Sequence, residues 1–267
     1  MELAGRTALI TGATGGLGRA IAAALAERGA KLVLSARKRE ALEELAAELP
    51  GEEHRVLPSD LVEPGAGERL AEEAGDIDVL VANAGLPAAG WLADFTPDQV
   101  QRALRVNLEV PMLMARAIFP AMVERGSGHL VFVSSLSGKA ASPRSSIYNA
   151  TKFGLRGFAL GLRADLAPKG VGVSLVSPGF IRDAGMFADS GAKPPPGFGT
   201  GKPEQVGAAV ARAIERDKAE IAVAPIPQRF MAHLGLTAPS VAVRIQSGSA
   251  GQKAAQAVAD GHPDSKR

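Results

Sequence analysis

Arg6-Thr-Ala-Leu-Ile-Thr-Gly-Ala-Thr-Gly-Gly-Leu-Gly18 decides the fold. Its first half is a short apolar run rich in β-formers. Its second half crowds glycines ahead of an amphipathic helical pattern over Leu17–Arg28. Gly12, Gly16 and Gly18 lack a Cβ, so backbone N–H groups can come close to a pyrophosphate. The helix N-terminus adds a partial positive charge. Thr14, Gly15 and Leu17 complete the loop. Such a string alone could be an ordinary glycine turn. Its place between a strand and a helix favours a nucleotide phosphate.

Apolar runs alternate with longer helical patterns beyond it. The runs are Arg6–Ile10, Lys31–Ser35, Arg55–Leu57, Asp78–Ala82, His129–Ser134, Val171–Ser177 and Glu220–Ala224. Strands this apolar belong in a parallel sheet covered on both sides. The expected fold is α/β: one Rossmann-like domain, a doubly wound seven-stranded parallel sheet with helices on both faces. The domain should span residues 1–246, and 247–267 reads as a frayed helix or a flexible tail. Pro97–Arg125 reads as one long helix that Pro111 should kink or break. Asp183–Lys202, with its Lys-Pro-Pro-Pro-Gly core, reads as a loop of the kind that forms substrate lids.

Composition excludes several classes. There is no cysteine, which removes disulfides, thiolate metal sites and thiol nucleophiles. The four histidines are scattered without ligand spacing, so no metal is expected. The formal net charge is +2, with bases and acids interleaved, so no nucleic-acid footprint is expected. No uncharged apolar stretch reaches the roughly 18 residues of a membrane span. The N-terminus shows no signal-peptide pattern, and a cytoplasmic protein is expected.

The second strand ends at Ser35-Ala36-Arg37-Lys38. A carboxylate here would bind ribose hydroxyls, as NAD sites use. Arg37 and Lys38 instead suit a 2′-phosphate, which points to NADP over NAD. Further on, Tyr148 precedes Lys152 by one helical turn and follows Ser135 by thirteen residues. A phenol has a pKa of about 10, and a cation on the same helix face should lower it towards the working pH. By itself Tyr-x-x-x-Lys is equally a half-buried tyrosine and a surface lysine.

Taken together these residues resemble the short-chain dehydrogenase/reductase family. Thr11–Gly18 is similar to its Thr-Gly-x-x-x-Gly-x-Gly motif, and Ala82-Asn83-Ala84-Gly85 to its Asn-Asn-Ala-Gly motif. Asp60-Leu61 matches the pair near adenine, Pro178-Gly179 the turn after strand six, with Ile181 close behind. Asn107, Ser135, Tyr148 and Lys152 fall on its catalytic positions. The resemblance covers about residues 4–224 and implies hydride transfer between NADP(H) and a carbonyl or secondary alcohol. Tyr148 would be general acid and base, Lys152 would lower its pKa and hold ribose, Ser135 would orient the carbonyl, and Asn107 would place a relay water.

Two departures stand out. Asp183 replaces a common threonine after Gly179; it could accept the nicotinamide carboxamide N–H groups but would repel a pyrophosphate, or it simply pairs with Arg182. The chain also ends differently, in Pro225, Phe230, Met231, Leu234 and Leu236. Phe180, Met186, Phe187 and Phe198 suggest an apolar small-molecule substrate. The helices near 97–125 and 146–168 resemble the family's dimer-forming pair, so a homodimer or homotetramer is expected. The main alternative is a non-catalytic NADP(H)-sensing regulator on the same fold. Epimerases, dehydratases and enoyl reductases fit less well, by length and by the ordinary tyrosine–lysine spacing.

Overall fold

The computed structural model describes residues 1–262. Seven parallel strands form one sheet in the order β3-β2-β1-β4-β5-β6-β7. They are β1 (Thr7–Thr11), β2 (Lys31–Ser35), β3 (Arg55–Val56), β4 (Val79–Ala82), β5 (Gly128–Val133), β6 (Val171–Pro178) and β7 (Glu220–Val223). All seven expected runs are strands, with ends moved by a residue or two. Order reverses between β1 and β4, and the crevice at the strands' carboxyl ends opens there.

The two faces of the sheet carry alternate residues of each strand. Ala8, Ile10, Leu32, Leu34, Val79 and Val81 face α1 (Gly16–Ala26), α2 (Arg39–Glu48) and α8 (Pro203–Glu215), through Ile21, Leu25, Leu42 and Val210. Leu9, Val33, Leu80, Leu130, Phe132 and Leu175 face α3 (Ala66–Ala74), α5 (Val110–Arg125) and α6 (Ser146–Leu166), through Leu70, Met114, Met122 and Leu155. Two apolar faces explain why the strands read as continuous apolar runs rather than alternating ones.

Pro97–Arg125 is helical throughout but not as one α-helix. α4 (Pro97–Leu104) passes through a π turn at Arg105–Glu109 into α5. There Val110 N–H bonds Arg105 O, five residues back, and Pro111 supplies no N–H at all. The interruption therefore falls just ahead of the proline. The 29-residue run is long and apolar enough to cross a membrane. Its buried Val110, Met114, Ile118 and Met122 instead fill the core beneath the sheet.

At the chain's end the helical alternative holds over the loose one: Ser249–Asp260 is a regular helix, α11, with Ala259 and His262 buried. It follows α9 (Ile226–Thr237) and α10 (Pro239–Gln246). The polar-looking sequence conceals this because alanine and glycine, not large side chains, form its packed face. The rest of the expected tail, 263–267, lies outside the described residues. The 183–202 loop holds one short turn of helix, α7 (Met186–Asp189).

Candidate active site

The glycine loop is stitched to the end of β4. Thr11 Oγ1 accepts the N–H groups of Asn83 and Ala84, both at 3.1 Å. Asn83 Nδ2 donates to Thr11 O at 3.0 Å and Gly12 O at 3.3 Å. Gly12 has φ +65°, and a Cβ on it would lie 3.0 Å from Ala84 Cα. A Cβ on Gly18 would lie 2.1 Å from Gly12 O, so only glycine lets α1 press this closely on its own loop. Gly15 caps α1 without any side-chain hydrogen bond, leaving the first helical N–H groups facing the crevice mouth. Thr11 was missed as a site residue; its β-strand context hid a hydroxyl that turns inward to hold both loops.

Around this cradle the other cofactor candidates fall as follows. Ser35 is buried at the end of β2, and its carbonyl accepts Ala13 N–H at 3.0 Å. Arg37 and Lys38 are exposed beyond it, and among the described residues neither makes an ion pair. Asp60 turns back on Val62 N–H at 3.1 Å, and Leu61 is buried. Pro178 ends β6; Gly179 N–H bonds Val223 O at 3.0 Å, and buried Ile181 bridges Gly201. Asp183 is exposed and pairs with Arg182 at 3.3 Å, so it is a surface partner of that arginine. The next residue, Ala184, lies over the phosphate loop: a Cβ on Gly16 would collide with it at 2.2 Å. These features fit an extended dinucleotide: an uncapped helix start, a cradle that a Cβ would fill, and cations beyond β2.

Asn107, Ser135, Tyr148 and Lys152 come together at the other end. Asn107 is buried in the π turn, where Oδ1 accepts Leu86 N–H at 2.7 Å and Nδ2 donates to Leu86 O at 3.0 Å. Its side chain thus clamps the segment after Gly85. Its main-chain carbonyl receives no i+4 bond, because Pro111, four residues on, has no N–H to give it. Ser135 opens a short 3-10 turn, with Oγ accepting Ser137 N–H at 3.1 Å. Its side chain also lies near enough to Tyr148 to pull the phenol's pKa down. Neighbouring Ser134 is buried and turned to Lys152 O at 3.4 Å. Lys152 is buried, with Nζ donating to Val133 O at 3.1 Å and standing 5.6 Å from the Tyr148 ring centre.

The expected lowering of the tyrosine pKa is corrected here. Burial pushes Tyr148 up to about 12, with the Ser135 side chain pulling modestly the other way. Burial also pushes Lys152 down to about 8. Desolvation outweighs attraction because each group is drawn into the protein and the ammonium is turned to a carbonyl rather than to the phenol oxygen. The resting tyrosine therefore holds its proton.

A cavity of about 530 Å³ opens beside these groups. Phe180, and Met186, Phe187 and Phe198 of the 183–202 loop, line it as expected, with the Phe180 and Phe187 rings 4.5 Å apart. Gln228, from α9, was not foreseen. It accepts Phe180 N–H at 2.9 Å and donates to Phe198 O at 3.2 Å and Gly199 O at 2.9 Å, tying both ends of the loop. Ile245 of α10 and Ala254 of α11 also line the cavity.

The sheet, crevice and clustered polar groups define a nucleotide-binding oxidoreductase architecture. The chain belongs to the short-chain dehydrogenase/reductase family: the short chain dehydrogenase family pattern matches residues 6–194. It is 34% identical to the ketoacyl reductase HetN of Nostoc sp. over 91% of this chain and 88% of that one. A short-chain dehydrogenase from Sphingobium yanoikuyae in complex with NADPH superposes with TM-score 0.75 at 30% identity, over 81% of this chain and 87% of that chain. A 3-oxoacyl (acyl-carrier-protein) reductase from Agrobacterium tumefaciens with NADP bound gives 0.76 at 28% identity, over 83% and 93%.

Proposed function

We propose that the protein is an NADPH-dependent carbonyl reductase in which Tyr148 is the proton donor. The observation that carries this is that Ser135, Tyr148 and buried Lys152 line one cavity together, with the Lys152 ammonium 5.6 Å from the Tyr148 ring centre. A bound NADPH would supply the hydride. The glycine loop would hold its pyrophosphate, Asn83–Gly85 and Ile181 its nicotinamide half, and Arg37 and Lys38 its 2′-phosphate. NADP is favoured over NAD by those two unpaired cations and by the NADP ligands of the two structural relatives.

Ser135 orients the substrate carbonyl by a hydrogen bond. Tyr148, protonated at rest, delivers its proton to the developing alkoxide. Lys152, with a pKa near 8, is mostly a cation at neutral pH and stabilises the phenolate that this transfer leaves. The Asn107 carbonyl would hold a relay water that returns a proton to the pair. We further propose a cytoplasmic homodimer through α4–α6, where Leu104, Met112 and Phe153 are exposed.

Tyr148→Phe tests the assignment. Turnover of a ketone should fall roughly a thousandfold, while NADPH affinity by fluorescence titration stays within about twofold. Retained turnover would overturn the role of Tyr148.

A further inference from the structure

The cavity wall is unusual in what it lacks. Among the described residues, no aspartate, glutamate or arginine lines it. Besides Tyr148, the ionisable side chains among those described in the wall are Lys152 and His262. Lys152 already donates to Val133 O, and His262 Nδ1 is 2.8 Å from Val258 O. A substrate carboxylate or phosphate lying along the wall away from Lys152 and His262 would meet no cationic side chain among the described residues, and burying it unpaired is costly.

Much of the remaining wall is α11. Ala250, Gly251, Ala254, Ala255 and Val258 line the cavity, while Gln252, Lys253 and Asp260 point to solvent. The inward residues follow helical spacing, so one whole face of the helix is given to the cavity. That face is apolar yet made mainly of the smallest side chains, which leaves room where larger residues would have filled the space. The wall is fastened at two places. Gln246 Nε2 donates to Ala141 O at 2.8 Å. At the end of α11, a Cβ on Gly261 would lie 2.0 Å from Ser190 O, so helix and lid loop meet backbone to backbone. Across the cavity α9 adds Met231 and α10 adds Ile245.

We propose that the substrate is an uncharged ketone with a long apolar body, and that α11 is the wall that sets how long that body can be. This rests on the carbonyl-reductase reading for the reacting end alone. Ala254 and Ala255 become specificity-determining residues, because any side chain larger than alanine there takes volume from the substrate.

The test separates binding from chemistry. Tyr148→Phe loaded with NADPH is titrated calorimetrically with methyl ketones from butanone to dodecanone. Affinity should rise roughly threefold to fourfold per methylene over the first several carbons. A long ketone ending in a carboxylate should bind at least about a hundredfold more weakly than its methyl ester. Ala254→Phe, and separately Ala250→Leu, should stop the rise at a shorter chain; Lys253→Ala, on the outer face, should leave it as it was. A flat series, equal binding of acid and ester, or no effect of either wall variant would overturn the proposal. Turnover by the unaltered enzyme is read independently. A rising series without turnover would support the wall and sink the reductase reading. Turnover with a flat series would do the reverse.

Discussion

The phosphate cradle and the substrate wall are built by opposite means. The cradle, at the ends of β1, β2 and β4, is made of backbone: Gly12 and Gly18 are needed for what they lack, and Thr11 and Asn83 bond main-chain atoms. The wall, from the 183–202 loop and α9–α11, is made of side chains whose sizes define a volume. A backbone cradle admits one geometry, so its sequence is tightly constrained. A wall of alanines can be reshaped one residue at a time. The two regions meet at Ala184, where the lid loop crosses the phosphate loop.

The sharpest way to break this contrast is a methyl group in each region. Gly18→Ala places a Cβ 2.1 Å from Gly12 O and 2.8 Å from Ala13 Cα, and neither backbone atom can retreat without opening the end of β1. NADPH affinity should fall more than a hundredfold, with about 3 kcal/mol of stability lost in a denaturant melt. Gly261→Ala, with a clash just as close, should leave NADPH affinity within about twofold, because Ser190 lies in the lid loop. Equal losses of cofactor would show that the regions are not separable.

Next in size is the proton affinity of the groups between them. Tyr148 is the sole tyrosine, so phenolate absorbance titrates one group. In the unliganded protein its midpoint should be about 12, a hundredfold above the ordinary proton affinity. Its contribution to stability is complete below pH 10 and is lost as pH rises from 10 to 12. Lys152 runs the other way. Folded, it is neutral above about 8; unfolded, it stays charged to 10.5, so stability is gained as pH rises through that window and lost as it falls. A tyrosine midpoint at or below 10 would restore the expectation read from spacing alone. Smaller again is Arg37→Asp, which should weaken NADPH roughly thirtyfold by losing a charged hydrogen bond and adding repulsion. NADH should change by less than about threefold, and equal losses would remove the 2′-phosphate role.

The contrast also explains what the sequence showed. The cradle was legible because its chemistry needs particular residues at particular spacings, as at Gly12, Asn83 and Tyr148. All seven strands were legible because burial on both faces leaves only apolar residues. α11 was legible only as one of two readings, and its packing not at all, because Ala250, Ala254 and Ala255 look the same in a frayed tail as in a packed wall. The tyrosine pKa was not, because spacing fixes which face Lys152 shares but not that its ammonium turns to Val133 O. Gln228 was invisible for a related reason: its partners lie 29 to 48 residues away in sequence.

Gln228 gives the mildest and most discriminating test. It is buried, and its amide is fully used: one acceptor takes Phe180 N–H, and the two donors go to Phe198 O and Gly199 O. Gln228→Leu would strand all three backbone groups. At roughly 1 kcal/mol for each, the lid should open readily enough to raise the KM for a ketone about tenfold. Gln228→Glu keeps the acceptor and loses the donors, so it should fall between. NADPH affinity should hold in both, because Gln228 touches the lid and not the cradle. Should NADPH affinity fall in step with KM, the Ala184 contact transmits the lid's position to the phosphate loop, and cradle and wall act as one device.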